Sequence, residues 1–289
     1  MEPLTTEELR RAVQLALAED IGSGDATSLA TVPAGATARA VMRAREPLVV
    51  SGLALAEAAF GELAPEAHIT RAIQDGEPVT AGQTLLRIAG PARALLGAER
   101  VALNFLQRLS GIATLTAGFV QAVQGTGAQI LDTRKTTPGW RRLEKYAVTC
   151  GGGRNHRLGL FDRVLIKDNH LAALRHERPN AVAAAVQRAR AAYPLLEVEV
   201  EADTLEQVDQ ALAAGADFIL LDNMDLGQLR QAVRICSGRV PTEASGGVTL
   251  ETVGAIAQTG VNFISVGALT HSARAVDIGL DFEPCFNSP

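Results

Sequence analysis

The second half of the chain alternates short apolar runs with segments of helical spacing, and this rhythm restricts the possible fold more than any other feature. Six runs after Gly127 have the length and composition of strands: 129–131, 163–166, 196–200, 217–221, 240–242 and 262–266. Helical patterns lie between them, including 180–192, 204–214 and 249–258. Such alternation is typical of βα units that build a parallel sheet. We therefore expect a closed or nearly closed α/β barrel, with a doubly wound open sheet as the alternative, because periodicity does not show whether a sheet closes.

The first third of the chain has a different pattern. Thr5 and Glu8 form a capping-box pair ahead of an amphipathic helix, residues 36–45 alternate in polarity, and 75–88 contains short strand-like runs. A long helical run follows over 92–124, with Gly111 as its expected weak point. We predict a smaller domain with a mostly antiparallel sheet over residues 1–111, joined by the segment 271–289, and a barrel domain over 112–270.

The composition excludes several classes of protein. With 289 residues, 47% of them hydrophobic, the chain can bury a sizeable core, which disfavours disorder. Its net charge of -5 and aromatic content of 4% disfavour a nucleic-acid binder, and no apolar stretch is long enough to span a bilayer. Cys150, Cys236 and Cys285 lack metal-type spacing and are expected to be reduced thiols. We expect a cytoplasmic protein that has no nucleic-acid or membrane partner.

Polar residues follow strand after strand of the predicted sheet. A single one would be read as a surface charge or a helix cap, and Asp203 is expected to be an N-cap. The repetition instead predicts a polar site where the carboxyl ends of the strands converge. The residues concerned are Asp132, Arg134, Lys135, Lys167, Asp168, Asn169, Glu201, Asp203, Asp222, Asn223, Glu243, Ser245 and Gly267.

Basic residues are concentrated between Arg134 and Arg178, where eleven Lys or Arg face four Asp or Glu in an otherwise acidic chain. Arg141, Arg142 and Lys145 lie on a predicted helix and are expected to form its solvent face. Six others occupy loops beside strand ends and are expected to converge on an anion: Arg134, Lys135, Arg154, His156, Arg157 and Lys167. A mixture of arginine and lysine suits a ligand that carries both carboxylate and phosphate groups.

Two glycine-containing loops and two acids complete the predicted site. Ser245, Gly246 and Gly247 join a strand to a helix, and Gly267 precedes His271, so both loops can offer backbone N–H groups to a phosphate. Glu201 and Asp222 are acids in a basic surrounding and could hold Mg²⁺ or ribose hydroxyls. The alternative for Glu201 is the polar face of a strand, because Glu197, Glu199 and Glu201 alternate.

Several of these segments together resemble the quinolinate phosphoribosyltransferase family. The resemblance runs in order through the last two thirds of the chain and is looser before it, where DIGSGDATS from Asp20 is the clearest match. The segments that carry it are GAERVALNFLQRLSGIAT from Gly97, ILDTRKTTPGWRRLEKYAV from Ile130, GGGRNHRLGLFDRVLIKDNHL from Gly151, VEVEAD from Val198, ADFILLDN from Ala216, ASGGV from Ala244 and ISVGALTHSA from Ile264.

The resemblance implies an N-terminal α/β sandwich domain, a C-terminal seven-stranded α/β barrel of TIM-like type, and a homodimer or larger homo-oligomer with shared active sites. It implies transfer of the phosphoribosyl group of phosphoribosyl pyrophosphate to quinolinate with loss of CO₂, giving nicotinate mononucleotide and pyrophosphate in NAD synthesis, with Mg²⁺ as cofactor. The implied quinolinate-binding residues are Arg134, His156, Arg157 and Lys167, joined by Arg100 from a second subunit. The implied catalytic residues are Lys135, Glu201 and Asp222, of which the two acids also hold the metal, and the implied phosphate-binding residues are Ser245, Gly246, Gly267 and His271.

Two other functions remain open at this point. A related transferase with a different acceptor would keep the phosphate and Mg²⁺ groups, but the combination of Arg134, His156, Arg157 and Lys167 favours a dicarboxylate. A non-catalytic sensor of phosphoribosyl pyrophosphate would have no clear use for Lys135 and Glu201.

Overall fold

The computed structural model describes residues 3–283, and its contacts divide the chain into two compact units. The first unit contains the residues up to Ala117, the segment Arg142–Gly152 and the segment from Ala273; the second contains Gly118–Arg141 and Gly153–Ser272. The boundaries predicted from sequence lie within a few residues of these at 117 and 272, while Arg142–Gly152 groups with the first unit. Cys285 lies outside the described residues.

The first unit is built on an antiparallel sheet, as the alternating patterns predicted. Its four strands have the spatial order β12-β1-β5-β3, and the C-terminal strand pairs with β1 so that Ile278 lies opposite Ala44. The strands are β1 (Thr37–Ala44), β3 (His68–Arg71), β5 (Thr84–Pro91) and β12 (Ile278–Phe282), beside a two-stranded pair, β2 (Leu48–Val49) and β4 (Pro78–Val79). The helices that accompany them are α1 (Thr6–Ile21), α2 (Ala26–Thr31) and α3 (Leu53–Leu63). The predicted capping box of Thr5 and Glu8 begins α1.

Two further helices each cross a boundary between the units along the chain. Helix α4 (Ala92–Ala122) is continuous, so the expected weakness at Gly111 is wrong. A side chain at that position would overlap the carbonyl oxygen of Arg274, and glycine is required there for close packing rather than for bending. Helix α5 (Arg141–Cys150) follows the first strand of the second unit.

The second unit contains the barrel-like parallel sheet that the βα rhythm predicted. Its strands have the order β6-β11-β10-β9-β8-β7. They are β6 (Gln129–Leu131), β7 (Val164–Ile166), β8 (Val198–Ala202), β9 (Phe218–Asp222), β10 (Thr242–Ser245) and β11 (Phe263–Ser265), and the helices are α6 (Asp168–Ala173), α7 (Ala181–Ala192), α8 (Leu205–Ala213), α9 (Leu226–Cys236), α10 (Leu250–Ala257) and α11 (Ala268–His271).

The described residues contain six of the seven barrel strands that the family resemblance implies. In place of a seventh there is one isolated parallel bridge between Leu131 and Arg154. Arg154 follows three consecutive glycines, a residue type that disfavours extended strands, and pairing therefore stops after one bridge.

Within residues 3–283, no helix has both the length and the apolar character that crossing a bilayer requires.

Candidate active site

A cavity of about 530 Å³ lies within the second unit, among residues at the carboxyl ends of the parallel strands. Such ends converge because parallel strands all run in one direction around the sheet. Nine of the twelve predicted site residues line it: Arg134, Lys135, His156, Arg157, Lys167, Glu201, Asp222, Ser245 and Gly246. The other lining residues are Thr133, Leu165, Leu220, Asn223, Glu243, Gly247 and Ser265. The structure therefore brings these nine residues together around one cavity.

Two arginines supply most of the positive charge on one side of the cavity. The Nε atom of Arg134 is buried, and among the described residues it has no hydrogen-bond partner. Burial, followed by the charge of Arg134, lowers the pKa of Arg157. Both facts indicate that this part of the cavity is short of negative charge, and an anionic ligand would satisfy the unpaired donor.

The loops that carry these arginines are joined by Arg141, which the sequence analysis placed on a solvent face. Its guanidinium donates to Thr136 Oγ1 at 3.0 Å, to the carbonyl oxygen of Leu158 at 3.1 Å and to that of Arg134 at 3.5 Å. Arg141 therefore ties the loop after β6 to the loop before β7. The prediction that Arg141 lies on the solvent face of its helix is wrong.

The other two residues assigned to that face are not solvent-directed either. Lys145 is only 2% exposed, and Arg142 donates from Nε to Glu8 Oε1 at 2.9 Å within the first unit. The neighbouring Glu144 is fully buried and accepts from Arg108 at 3.2 Å. The helix is enclosed by the first unit, and its charged residues are paired inside it rather than hydrated.

Asp132 anchors the segment that bears His156. It is completely buried, accepts from Asn155 Nδ2 at 2.6 Å and from the backbone N–H of His156 at 2.8 Å. Its own backbone N–H donates to the carbonyl oxygen of Arg154 at 3.1 Å. Asp132 therefore has a structural role at the cavity edge.

His156 lies between two buried glutamates. Its Nε2 is 3.0 Å from Glu199 Oε2 and 3.5 Å from Glu243 Oε2, and its Nδ1 accepts from the backbone N–H of Arg157 at 2.7 Å. Because Nδ1 acts as an acceptor, the imidazole carries its proton on Nε2. Burial, followed by the charge of Glu199, raises the pKa of Glu243 well above its usual range. Although burial acts in the opposite direction, the hydrogen bond and charge of His156, together with Arg163, lower the pKa of Glu199.

The sequence analysis listed Glu243 among the polar residues that follow the strands but gave it no specific role, and it named Glu199 only in the alternation with Glu197 and Glu201. It ended the fifth barrel strand at residue 242, whereas β10 extends over Thr242–Ser245 and Glu243 pairs with Leu220 inside the sheet. Two sequence features could have indicated these buried acids: the position of Glu243 among strand residues, and the alternation of Glu197, Glu199 and Glu201. In β8 all five residues are buried, so Glu199 and Glu201 are enclosed, whereas Glu197, just before the strand, is 55% exposed and pairs with Arg163.

The two acids predicted to bind metal or ribose both line the cavity. Glu201 is 7% exposed and accepts from Lys167 Nζ at 2.5 Å. Burial, followed by the charge of Asp203, raises the pKa of Asp222. Asp203 is not an N-cap as expected: Thr204 caps α8 in a capping box with Gln207.

The glycine loop after β10 approaches its neighbours closely. Gly246 has a φ of 102°, in the region that favours glycine, and a Cβ there would overlap the side chain of Asn223. Asn223 donates from its backbone N–H to the carbonyl oxygen of Ser245 at 2.9 Å. The loops after β9 and β10 therefore hold each other beside the cavity.

Three predicted site residues do not line the cavity. Gly267 and His271 lie next to the Lys135 loop, where a Cβ on Gly267 would come 2.9 Å from Lys135 Cδ and 3.1 Å from His271 Nε2. Arg100 is an exposed residue of α4 in the first unit. Its predicted role requires a second subunit and stays a prediction.

Arg154, expected to join the anion site, does not line the cavity either. Its backbone bridges to Leu131 and its side chain is exposed. Asn155 and His156, the next two residues, are instead bound to Asp132, which turns the chain toward the cavity at that point.

The donor set of Glu201 and Asp222 fits Mg²⁺. This ion prefers carboxylate oxygens, and it commonly takes one or two protein carboxylates with water and substrate phosphates completing its shell. Burial, followed by the negative charge of Asp203, raises the pKa of Asp222, and a divalent cation would compensate that charge.

Comparisons with known proteins identify the family. The family model described as "Quinolinate phosphoribosyl transferase, C-terminal domain" matches residues 112–281, and the corresponding N-terminal domain matches residues 25–110. The chain is 48% identical over 278 residues to the nicotinate-nucleotide pyrophosphorylase [carboxylating] of Mycobacterium leprae. The alignment covers 94% of this chain and 96% of that protein. The protein named "Probable nicotinate-nucleotide pyrophosphorylase [carboxylating]" from Bacillus subtilis is 42% identical, and the alignment covers 95% of this chain and 93% of that protein.

Solved structures show the same architecture. A crystal structure of NadC from Streptococcus pyogenes superposes with a TM-score of 0.92 at 39% identity, covering 98% of this chain and 100% of that one. The nicotinate-nucleotide pyrophosphorylase from Francisella tularensis gives a TM-score of 0.91 at 39% identity, covering 97% of this chain and 98% of that one.

Proposed function

The chain belongs to the quinolinate phosphoribosyltransferase family, and we propose that the cavity of its second unit is where quinolinate and phosphoribosyl pyrophosphate react. This family transfers the phosphoribosyl group to quinolinate with loss of CO₂, a step of de novo NAD synthesis. The observation that carries the proposed location is the buried, unpaired Nε of Arg134 beside Arg157. An enclosed guanidinium with a free donor is the group that a carboxylate binds best.

Arg134, Arg157 and Lys167 bind the two carboxylates of quinolinate in this proposal. His156, whose ring nitrogens are engaged by Glu199 and by the backbone N–H of Arg157, supports the site from beneath instead of binding the ligand itself. Both substrates are anions, and two unit charges about 4 Å apart repel by about 4 kcal/mol at the effective dielectric of a protein surface. The cations offset this repulsion and let the ring approach the sugar. A bidentate arginine also fixes the plane of a carboxylate, which orients the ring nitrogen toward the sugar carbon.

The opposite side of the cavity receives the sugar phosphate. Ser245 and Gly246 offer a hydroxyl and backbone N–H groups ahead of α10, and Gly267 and His271 extend the same side beside Lys135. Lys135 is exposed at the rim and faces the departing pyrophosphate as a mobile positive charge. These assignments rest on loop position and on the chemistry of glycine-rich phosphate sites.

Glu201 and Asp222 hold Mg²⁺ and the ribose hydroxyls in the same proposal. When bound, Mg²⁺ neutralises the charge that develops on the leaving pyrophosphate. As the bond between the sugar C1 and the pyrophosphate oxygen breaks, positive charge grows at C1. The carboxylate of Glu201 stabilises that charge.

The reaction then completes without another group from the chain. The ring nitrogen of quinolinate forms a bond to C1 while pyrophosphate departs with the bonding electrons. The nitrogen is then positively charged and withdraws electrons from the adjacent carbon, so the carboxylate there leaves as CO₂ and a proton takes its place. The cations of the cavity favour the first step because they bring two anions together, and the positively charged ring nitrogen favours the second because it stabilises the electron pair that the departing CO₂ leaves on the ring carbon.

Arg100 and the assembly belong to this proposal as well. We propose a homodimer or larger assembly in which Arg100 of one subunit completes the quinolinate site of another, and a cytoplasmic location. The support is the family resemblance and the exposure of Arg100 on α4.

A coupled assay tests the proposed function directly. With Mg²⁺ and phosphoribosyl pyrophosphate, the protein should release CO₂ and pyrophosphate in equal amounts from quinolinate, and little pyrophosphate from nicotinate. Turnover of nicotinate but not of quinolinate would show that the acceptor is not quinolinate. Binding of phosphoribosyl pyrophosphate without turnover of any pyridine acid would indicate a sensor.

A further inference from the structure

A buried cluster of His156, Glu199 and Glu243 forms part of the floor of the cavity. One ligating atom from each of the three lies within 4.8 Å of the others. The Glu199 and Glu243 side chains are 0% and 1% exposed, and Glu243 lines the cavity itself. Buried acids are costly unless they are paired or protonated, so their presence here requires an explanation.

The geometry of His156 supplies part of that explanation. Its Nε2–H faces Glu199 Oε2 at 3.0 Å and Glu243 Oε2 at 3.5 Å, while its Nδ1 accepts from the backbone of Arg157. The ring is therefore held at both nitrogens. Glu199 is held from its other side, because Arg163 lies 3.5 Å from the same oxygen.

Glu243 differs from Glu199 because, within residues 3–283, no arginine lies against it as Arg163 lies against Glu199. In the same residues neither of its carboxyl oxygens makes a hydrogen bond, so its 3.5 Å approach to His156 Nε2 is a close polar contact, and Glu199 Oε1 also makes none. The raised pKa of Glu243 is consistent with a neutral carboxyl group that can donate a proton to a neighbouring oxygen. Beside the ionised Glu199, such a neutral group avoids two like charges in one buried site.

We propose that Glu243 is a positioning residue for the quinolinate site: with Glu199 it holds the His156 imidazole in one orientation and tautomer, and thereby holds the backbone of Arg157. Glu243 does not need to contact the reacting atoms for this role. The inference rests on the proposed function, because it assigns a purpose to a residue beneath the proposed quinolinate carboxylates.

Three variants test the role of Glu243 in steady-state kinetics. Glu243→Leu removes both oxygens, and Glu243→Asp withdraws the carboxyl group from Nε2 by one methylene. Each should raise KM for quinolinate by about tenfold, the upper end of the loss for one polar contact between uncharged groups, with KM for phosphoribosyl pyrophosphate changed by less than about twofold. Glu243→Gln keeps a neutral group of the same shape that can donate, and should restore KM for quinolinate to within about threefold of the original.

Glu206→Leu is the matched control, because Glu206 is an exposed glutamate of α8 outside the cavity. It should leave both KM values unchanged. A residue needed only for folding would instead alter both substrates alike, and the glutamine variant would not rescue quinolinate selectively.

The ring signals of His156 give a readout that does not depend on turnover. In ¹⁵N NMR of the ligand-free protein, with His156→Asn used for assignment, the ring should show one tautomer with its proton on Nε2. The glutamine variant should keep this signal, whereas the leucine and aspartate variants should shift or broaden it.

The proposal is overturned if the leucine or aspartate variant folds with an unchanged KM for quinolinate, or if both KM values rise equally. An unchanged His156 spectrum in these variants also overturns it. If the original protein does not turn over quinolinate, the proposed function fails, and the ligand-free spectra still decide whether Glu243 restrains the ring.

Discussion

Lys167 Nζ donates to Glu201 Oε2 at 2.5 Å across the mouth of the cavity. The Lys167 side chain is 45% exposed and that of Glu201 only 7%, so the lysine contacts solvent while the glutamate is buried. We assign Lys167 to quinolinate and Glu201 to the ribose, which means that each substrate competes for a partner of this ion pair. Without ligand, the positive charge of Lys167 and the negative charge of Glu201 therefore neutralise each other, and binding of the two substrates separates the pair.

The members of this pair should affect different kinetic parameters. Glu201→Gln should lower kcat by about 100-fold with little change in KM for quinolinate, because the charge it stabilises appears only in the transition state. Lys167→Met should mainly raise KM for quinolinate, since it removes ground-state binding. Initial rates over a grid of both substrates measure this, and a lower kcat with unchanged KM in both variants would contradict the division of roles.

Arg134 should not tolerate replacement by lysine. Its buried Nε is the unpaired donor of the quinolinate side, and lysine carries charge without a planar fork. Arg134→Lys should therefore raise KM for quinolinate by roughly 10- to 100-fold, the range of a hydrogen bond to a charged group worth about 1.5–3 kcal/mol. Isothermal titration of quinolinate measures the same loss directly, and near-normal affinity in the lysine variant would show that charge alone suffices.

Arg141 should influence the cavity through the loops it joins. Arg141→Ala removes bonds to Thr136 and to the carbonyl oxygens of Arg134 and Leu158, and should raise KM for quinolinate by about 2- to 10-fold. Arg142→Ala is the matched control: Arg142 pairs with Glu8 in the first unit, and its loss should lower thermal stability without selectivity for one substrate. Equal kinetic effects of the two variants would refute the loop-joining role.

Much of this site was accessible from sequence because strand order and loop position are encoded locally. The six barrel strands follow from apolar runs between helical patterns, and the loops after them bring Arg134, Lys167, Asp222 and Ser245 to one cavity. Parallel strands make this inference possible, since residues that end successive strands must meet at one edge.

The errors arose where tertiary packing overrides local pattern. Lys145 was predicted to lie on a solvent face but is buried within the first unit, and Gly111 was predicted to be a weak point of its helix but makes room for the backbone of Arg274. Glu243 was placed after its strand because a buried acid contradicts the apolar pattern of a core strand. In each case the deciding partner is distant in sequence, so no local window contains it.

Gly246 should be intolerant of any side chain. Gly246→Ala places a Cβ against Asn223 at a backbone φ of 102°, and should raise KM for phosphoribosyl pyrophosphate and lower stability by more than about 1 kcal/mol. Gly215→Ala is the control, because Gly215 also has a positive φ of 78° but open space around it. Urea unfolding and donor kinetics distinguish the two; similar losses in both variants would attribute the effect to backbone conformation alone.

Stability at acid pH should depend on Glu46. The side-chain hydrogen bond from Arg274, followed by the backbone N–H of Asp277, lowers the pKa of Glu46 to about 2 from its usual 4.5. Because the folded-state pKa is depressed, this contribution to the free energy of unfolding is complete above about pH 4.5 and is lost as the pH falls toward about 2. Glu46→Gln should therefore lose stability at pH 5 and little more between pH 5 and pH 3, measured by urea unfolding, while the exposed Glu19→Gln should keep the original acid slope. If Glu46→Gln retains the full slope, another carboxyl group is responsible for it.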